Sequence, residues 1–190
     1  MCEILNIGRI ERNTSVEGFG NRYCLWFQGC SIRCKGCANF EMWETDGGRL
    51  YSVADILKDI ECQGSKIEGI TILGGEPFEQ PRGLYELTKK CQERGYSVIL
   101  FTGFLYEELM KQEGKKDILK YTDLLIDGPY IEEKKELSRP WVGSSNQRYW
   151  FLSEKYSEDD LEGIKNKLEI RISKGGSIMI NGMCTCDVFR

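Results

Sequence analysis

Histidine is absent from all 190 residues. That excludes any site built on an imidazole base, an imidazole-assisted nucleophile or a histidine metal ligand, so acid–base work falls to carboxylates, Tyr, Lys or Cys. Proline is scarce, at 4 residues, and no Pro- or Ser-rich linker divides the chain. We therefore expect one domain over 1–190, long enough to bury a proper core. No apolar run approaches the roughly 18 residues of a membrane helix, and the start Met1-Cys-Glu-Ile-Leu-Asn6 lacks the basic-then-apolar layout of an export signal. These absences predict a cytoplasmic protein without a membrane partner. Basic residues are outnumbered 26 to 30, giving a net charge of −4 with Lys and acids intermixed. Without a basic stripe, nucleic acid is not an expected partner.

Cysteine is plentiful by contrast, at 9 residues. An odd count without an export signal points to reduced thiols and metal binding, not to a disulfide framework. Three of them, Cys30, Cys34 and Cys37, fall in Gln28-Gly-Cys-Ser-Ile-Arg-Cys-Lys-Gly-Cys37, a Cys-x3-Cys-x2-Cys spacing. Structural zinc and electron-transfer clusters normally take four protein ligands, so three clustered thiolates suggest a metal centre with one position open. A zinc site that borrows a remote ligand is the competing reading.

A second motif stands at Gly69-Ile-Thr-Ile-Leu-Gly-Gly-Glu-Pro77. The β-branched run reads as a buried strand that breaks at two glycines. Without side chains at Gly74 and Gly75 the backbone can be approached closely and take positive φ, and Pro77 stiffens the exit from the turn.

The remaining pattern alternates strand and helix. Strands are predicted at Tyr23–Phe27, Gly69–Leu73, Ser97–Phe101 and Thr122–Ile126. Helices are predicted at Val53–Ile60, at Leu84–Arg94 with a stop at Gly95, and around Tyr106–Gln112. Such βαβα order implies a parallel sheet whose ligands collect at the C-terminal strand ends, where Cys30, Gly74, Thr102 and Asp127 fall. A complete eight-unit barrel takes about 250 residues, so this chain holds only a partial, open barrel. The last segment differs: Leu168–Ser173 and Ser177–Ile180 flank Lys174-Gly-Gly176, which reads as a β-hairpin appendage beside the sheet.

The cysteine spacing together with Gly-Gly-Glu-Pro resembles the radical S-adenosylmethionine (SAM) enzymes. Within them the chain is similar to the activating proteins of anaerobic (class III) ribonucleotide reductase. That likeness extends through Asn39 and Trp43, Thr102-Gly-Phe104, Asp127-Gly-Pro-Tyr130 and Trp141-Val-Gly-Ser-Ser-Asn-Gln-Arg148. The resemblance implies a partial β/α barrel with its core at about 21–152 and an extension at about 153–190. It implies that Cys30, Cys34 and Cys37 hold a [4Fe-4S] cluster, with Gly36 and Ala38 offering backbone contacts near adenine. Gly74, Gly75 and Glu76 would hold the methionine end of SAM, and Thr102 and Asp127 would reach ribose or substrate. The implied reaction delivers one electron to SAM, from a low-potential donor of flavodoxin or ferredoxin type. It releases methionine and a 5′-deoxyadenosyl radical that takes a hydrogen atom from a glycine of a partner glycyl-radical enzyme. Two other readings remain: a radical SAM enzyme acting on a peptide or small molecule, and a non-catalytic iron–sulfur or zinc redox module. Cys2, Cys24, Cys62 and Cys91 are expected in the core. Cys184 and Cys186 are candidates for a redox pair or a second metal site.

Overall fold

The computed structural model describes residues 3–183. Strand β1 (Ile4–Thr14) runs antiparallel to β2 (Arg22–Phe27) and to β3 (Arg49–Ser52). β2 is followed in parallel register by β4 (Gly69–Gly74), β5 (Ser97–Phe101) and β6 (Leu124–Asp127). β7 (Arg148–Phe151) closes the far edge antiparallel to β6. The spatial order is β3-β1-β2-β4-β5-β6-β7 in one seven-stranded sheet with two free edges, an open arrangement and not a closed barrel. The four parallel strands are the ones the hydrophobic runs predict, because strands covered on both faces read as continuous apolar segments. The antiparallel strands β1, β3 and β7 escape that reading.

Helices pack against the sheet to form the main core. α1 (Val53–Glu61) turns Val53, Ile56, Leu57 and Ile60 inward, and its first turn is capped by Ser52, whose side chain accepts the Asp55 N–H at 3.1 Å. α2 (Pro81–Glu93) starts with Pro at its first position, where no intrahelical N–H is needed, and buries Leu84, Leu87 and Cys91. The helix predicted around Tyr106–Gln112 is shorter, α3 (Tyr106–Leu109), and a further helix that was not predicted, α4 (Glu113–Leu119), follows it. The inward residues of α1, α2 and α4 pack with Leu5, Leu25, Phe27, Ile70, Ile72, Val98 and Leu100 into the main core. Each such fully buried side chain contributes about 1.5–3 kcal/mol of transfer free energy.

Arg22 fastens the N-terminal ends of the parallel strands. Its guanidinium donates to Thr71 Oγ1 (3.1 Å), Ser97 Oγ (2.6 Å), the Ser97 carbonyl (3.0 Å), Tyr156 OH (3.2 Å) and the Ile70 carbonyl. Burial lowers its pKa, and this ring of acceptors is what allows a fully buried cation there.

The predicted hairpin is present as a separate two-stranded sheet, β8 (Leu168–Ile172) and β9 (Ile178–Gly182). Cys24 and Cys91 are buried as expected. Cys62 is exposed, because it caps the C-terminus of α1 beyond the last inward residue, Ile60. Cys2, Cys184 and Cys186 lie outside the described residues. Among the described residues no helix is long and apolar enough to cross a membrane.

Candidate active site

The cysteine loop leaves the C-terminal end of β2 and is tied down by its backbone. Gly29 N–H donates to the Met42 carbonyl (2.8 Å) and Cys30 N–H to the Trp43 carbonyl (3.0 Å), while Cys37 N–H closes a turn on Cys34 (3.1 Å). Buried Gln28 donates from Nε2 to the carbonyls of Glu41 (3.1 Å) and Glu44 (2.7 Å), so the two arms of the loop move together. Glu79 accepts the Ser31 N–H at 2.9 Å and the Ser31 hydroxyl.

Cys30, Cys34 and Cys37 all line one cavity of about 400 Å³. Its wall also carries Gly36, Ala38, Gly74, Gly75, Glu76 and Thr102, so nine of the ten residues singled out from sequence converge on a single space. The tenth, Asp127, is not part of that wall. Its carboxylate is fully buried, accepts the Tyr106 N–H at 2.7 Å and forms an ion pair with Arg148 (Nη2 to Oδ2, 2.5 Å). The strand end does place Asp127 near the cavity, but its lone pairs face the edge strand.

The thiols have few competitors. Among the described residues the other cysteines are Cys24, Cys62 and Cys91, none of which reaches the cavity wall. Burial raises the Cys30 thiol, and the Arg33 and Ile32 backbone N–H groups oppose it; burial likewise raises Cys34, opposed by the Tyr130 N–H. N–H groups aimed at sulfur are the surroundings a metal-bound thiolate needs. Among the described residues no three His, Cys, Asp or Glu side chains are gathered as ligands of one ion. A four-iron cluster asks for a different arrangement, since each thiolate takes a different iron. Three thiols spread around one wall, with no fourth beside them, fit such a cluster with one iron left free.

Gly74 and Gly75 answer to the chain as well as to any ligand. A Cβ on Gly74 would lie 2.6 Å from the Phe27 backbone nitrogen, and φ there is +107°; a Cβ on Gly75 would lie 2.2 Å from the Gly29 carbonyl oxygen. The close approach lets Gly75 N–H donate to the Phe27 carbonyl (2.7 Å) and Glu76 N–H to the Gly29 carbonyl (2.8 Å). The glycine motif is thereby fastened to the cysteine loop. Glu76 is buried, and three donors fix its carboxylate: Phe78 N–H (2.9 Å) and Thr102 Oγ1 (2.9 Å) at Oε1, and Gly103 N–H (2.8 Å) at Oε2. Burial outweighs these donors and pushes its pKa up to about 7.

The polar run Gly143–Gln147 forms the opposite rim. Gln147 Oε1 accepts the N–H groups of Gly143 (2.8 Å) and Ser144 (3.2 Å), and Asn146 Nδ2 donates to the Pro129 carbonyl (2.8 Å). Most of this run's polarity is spent on holding itself and the turn at 128–131, although Gly143 and Gln147 do face the cavity.

Sequence reading missed Glu17. It is buried, lines the cavity, and has a pKa raised to about 7 by burial; its Oε1 accepts the Gly182 N–H at 3.1 Å. The available signal was an acid followed by two glycines, Val16-Glu-Gly-Phe-Gly20, just ahead of the strand that delivers the cysteines. Tyr130, from the Asp127-Gly-Pro-Tyr130 turn, also lines the cavity, as do Lys135 and Met183, which were not anticipated.

The 4Fe-4S single cluster domain family matches residues 16–150. The anaerobic ribonucleoside-triphosphate reductase-activating protein of Enterobacteria phage T4 is 33% identical, over 77% of this chain and 94% of its own length. The protein of the same name from Haemophilus influenzae is 32% identical, over 70% of this chain and 88% of its own. The pyruvate formate-lyase-activating enzyme of Clostridium pasteurianum is 32% identical over 67% of this chain, but over only 53% of its own length. With its three-cysteine loop and Gly-Gly-Glu-Pro turn on one cavity, and with relatives matched almost end to end, this chain belongs to the radical SAM proteins, in the family of anaerobic ribonucleoside-triphosphate reductase-activating proteins.

Proposed function

We propose that this protein installs a glycyl radical on an anaerobic ribonucleotide reductase, and that the cavity at the C-terminal ends of β2, β4 and β5 is where it does so. The observation that carries the reading is the convergence of the three thiols with Gly74–Glu76 on one wall. The names of the most similar relatives support the same partner class.

In this reading Cys30, Cys34 and Cys37 would hold a [4Fe-4S] cluster, to which the methionine part of SAM would bind. Gly74 and Gly75 present backbone to that end, and Glu76 receives the ammonium in its ionised form. Thr102 acts through Glu76 by holding Oε1 in place. Gly36 and Ala38, both on the cavity wall, lie against the adenosyl half. When bound, these groups supply one-electron cleavage of a C–S bond to methionine and a 5′-deoxyadenosyl radical, which takes a hydrogen atom from the partner's glycine. The chain's own task is to bind, orient and shield from water. Leu73, Phe101 and Trp141 supply the apolar wall for that shielding. Asp127 serves the edge of the sheet, not the ligand.

The reading further assigns a low-potential flavodoxin- or ferredoxin-type electron donor, a cytoplasmic setting, one domain over 1–190, and no nucleic acid or membrane partner. The excess of acid over base is the observation behind the absence of a nucleic-acid partner in it.

Anaerobic reconstitution with iron and sulfide, followed by dithionite reduction with SAM, tests the site. The parent chain is expected to release 5′-deoxyadenosine and Cys34→Ala to release none. A cluster-loaded parent that leaves SAM intact would return the protein to the redox-module reading.

A further inference from the structure

The β8–β9 ribbon carries a face that the chemistry above does not use. Its register sets Ile170 opposite Ile180, Ile172 opposite Ile178, Glu169 opposite Asn181 and Arg171 opposite Met179. Directly paired residues share a face, so one side of the ribbon is largely polar and the other is built of four isoleucines.

The polar side is docked on the body. Thr14 Oγ1 donates to Glu169 Oε2 (2.8 Å), Asn181 Nδ2 donates to Thr14 Oγ1 (3.3 Å), and Arg171 pairs with Glu11 and with the Asn13 carbonyl. The isoleucine side is turned outward. Ile172 and Ile178 are 71% and 64% exposed, and Ile170 and Ile180 46% and 42%. Apolar residues scattered singly on a surface need no explanation, but four adjacent ones on a ribbon mark an interaction site.

What lies beside the ribbon says what covers it. β9 runs directly into the cavity: Gly182 N–H is held by Glu17, and Met183 is part of the cavity wall. The Gly182–Met183 end of the ribbon therefore borders the space that a partner's segment would enter, and the isoleucine face continues outward from that end. The ribbon also lies beyond the shared domain. The family match ends at residue 150, and the phage relative is matched over 94% of its length by 77% of this chain, so this chain carries length that the relative does not.

We propose that the isoleucine face of β8–β9 is a docking surface for the partner enzyme whose glycine segment enters the cavity. The occupant is an apolar patch of that partner, since a second copy of this chain would take the ground beside the cavity that a polypeptide substrate needs. The proposal rests on the activase reading above.

The test is the double variant Ile172→Asp, Ile178→Asp, at two exposed positions. Glycyl radical on the anaerobic ribonucleotide reductase from the same organism is measured by electron paramagnetic resonance against reductase concentration. Expected is a rise of about tenfold or more in the half-maximal reductase concentration, as for loss of central interface residues. Partner-free 5′-deoxyadenosine release and the thermal midpoint stay unchanged, and Ile172→Val, Ile178→Val behaves as the parent. An unchanged half-maximal concentration overturns the proposal and leaves the activase reading intact. So does a fall in the thermal midpoint, which would show the face covered within the chain, or the dissolution of a parent dimer with unaltered reductase dependence. A parent chain that forms no radical on the reductase overturns the activase reading and this surface with it, and is seen without any variant.

Discussion

Thr102 Oγ1 donates a 2.9 Å hydrogen bond to Glu76 Oε1, joining the C-terminal end of β5 to the turn after β4. Replacing the hydroxyl by a methyl group leaves a buried carboxylate oxygen with one donor fewer, at a cost of about 1–3 kcal/mol. Thr102→Val is therefore expected to lower stability by that amount and, because the lost donor favours the ionised form of Glu76, to weaken SAM binding near pH 7 by several-fold, while Thr102→Ser stays close to the parent. Anaerobic calorimetric titration of SAM into the reconstituted protein measures the affinity of both variants.

The pH dependence of SAM binding follows from the same carboxylate. Glu76 has its pKa raised from 4.5 to about 7 by burial, and only its ionised form receives an ammonium group. Below about pH 7, as Glu76 takes up a proton, affinity is expected to fall towards tenfold per pH unit, with proton release on binding. Titrations in two buffers of different ionisation enthalpy count that proton, and Glu76→Gln removes it.

Stability of the ligand-free protein should move the other way. Between 4.5 and about 7 the folded chain keeps protons on Glu76 and Glu17 that the unfolded chain has released. Their contribution is therefore whole below pH 4.5 and is lost as pH rises through about 7. The urea midpoint is expected to fall from pH 5 to pH 7, and the Glu17→Gln, Glu76→Gln double variant should flatten that decline.

Asp127 and Arg148 form a pair that is buried on the carboxylate side only, and Arg148 is shared with Glu107 (2.8 Å). Asp127→Ala leaves Arg148 its exposed partner but strips the Tyr106 N–H of its acceptor. A loss of about 2–4 kcal/mol in denaturant unfolding is expected, with SAM affinity of the folded fraction unchanged within about twofold. An affinity loss as large as that of Thr102→Val would instead return Asp127 to the ligand.

Gly75→Ala tests the join between the two motifs. Its added Cβ would stand 2.2 Å from the Gly29 carbonyl oxygen, which is backbone and cannot swing away. The cysteine loop must shift, and loss of cluster on reconstitution is expected, read as iron and sulfide per chain. Retention of a full cluster with normal SAM cleavage would show the loop able to yield.

The parallel centre of the fold and the cavity were legible because their signals are local. β4 and β5 are uninterrupted apolar runs, the thiols share one loop, and Gly-Gly-Glu-Pro follows its strand directly. β1 was not legible, since its polar residues Glu11 and Thr14 are buried only when Arg171 and Glu169 arrive from more than 150 positions away in sequence. Glu17 was missed for a related reason: a lone acid reads as solvated, and its burial depends on the late arrival of Gly182. Asp127 was assigned to a ligand because strand ends collect ligands, but Arg148 on the neighbouring antiparallel strand claims it. α3 ends at Leu109, short of the predicted Gln112, and α4 is not legible because Glu113-Gly-Lys-Lys-Asp117 carries no apolar spacing and its buried residues, Ile118 and Leu119, come only at its end.

The central claim is that this cavity makes a radical on another protein. It is tested most directly by incubating the reconstituted, reduced chain with SAM and the anaerobic ribonucleotide reductase of its own organism, then recording the electron paramagnetic resonance spectrum. The expected result is a glycyl doublet that collapses when the target glycine is deuterated at its α-carbon, with stoichiometric 5′-deoxyadenosine, and neither signal with Cys34→Ala. Repeated 5′-deoxyadenosine formation with no protein radical would contradict the claim.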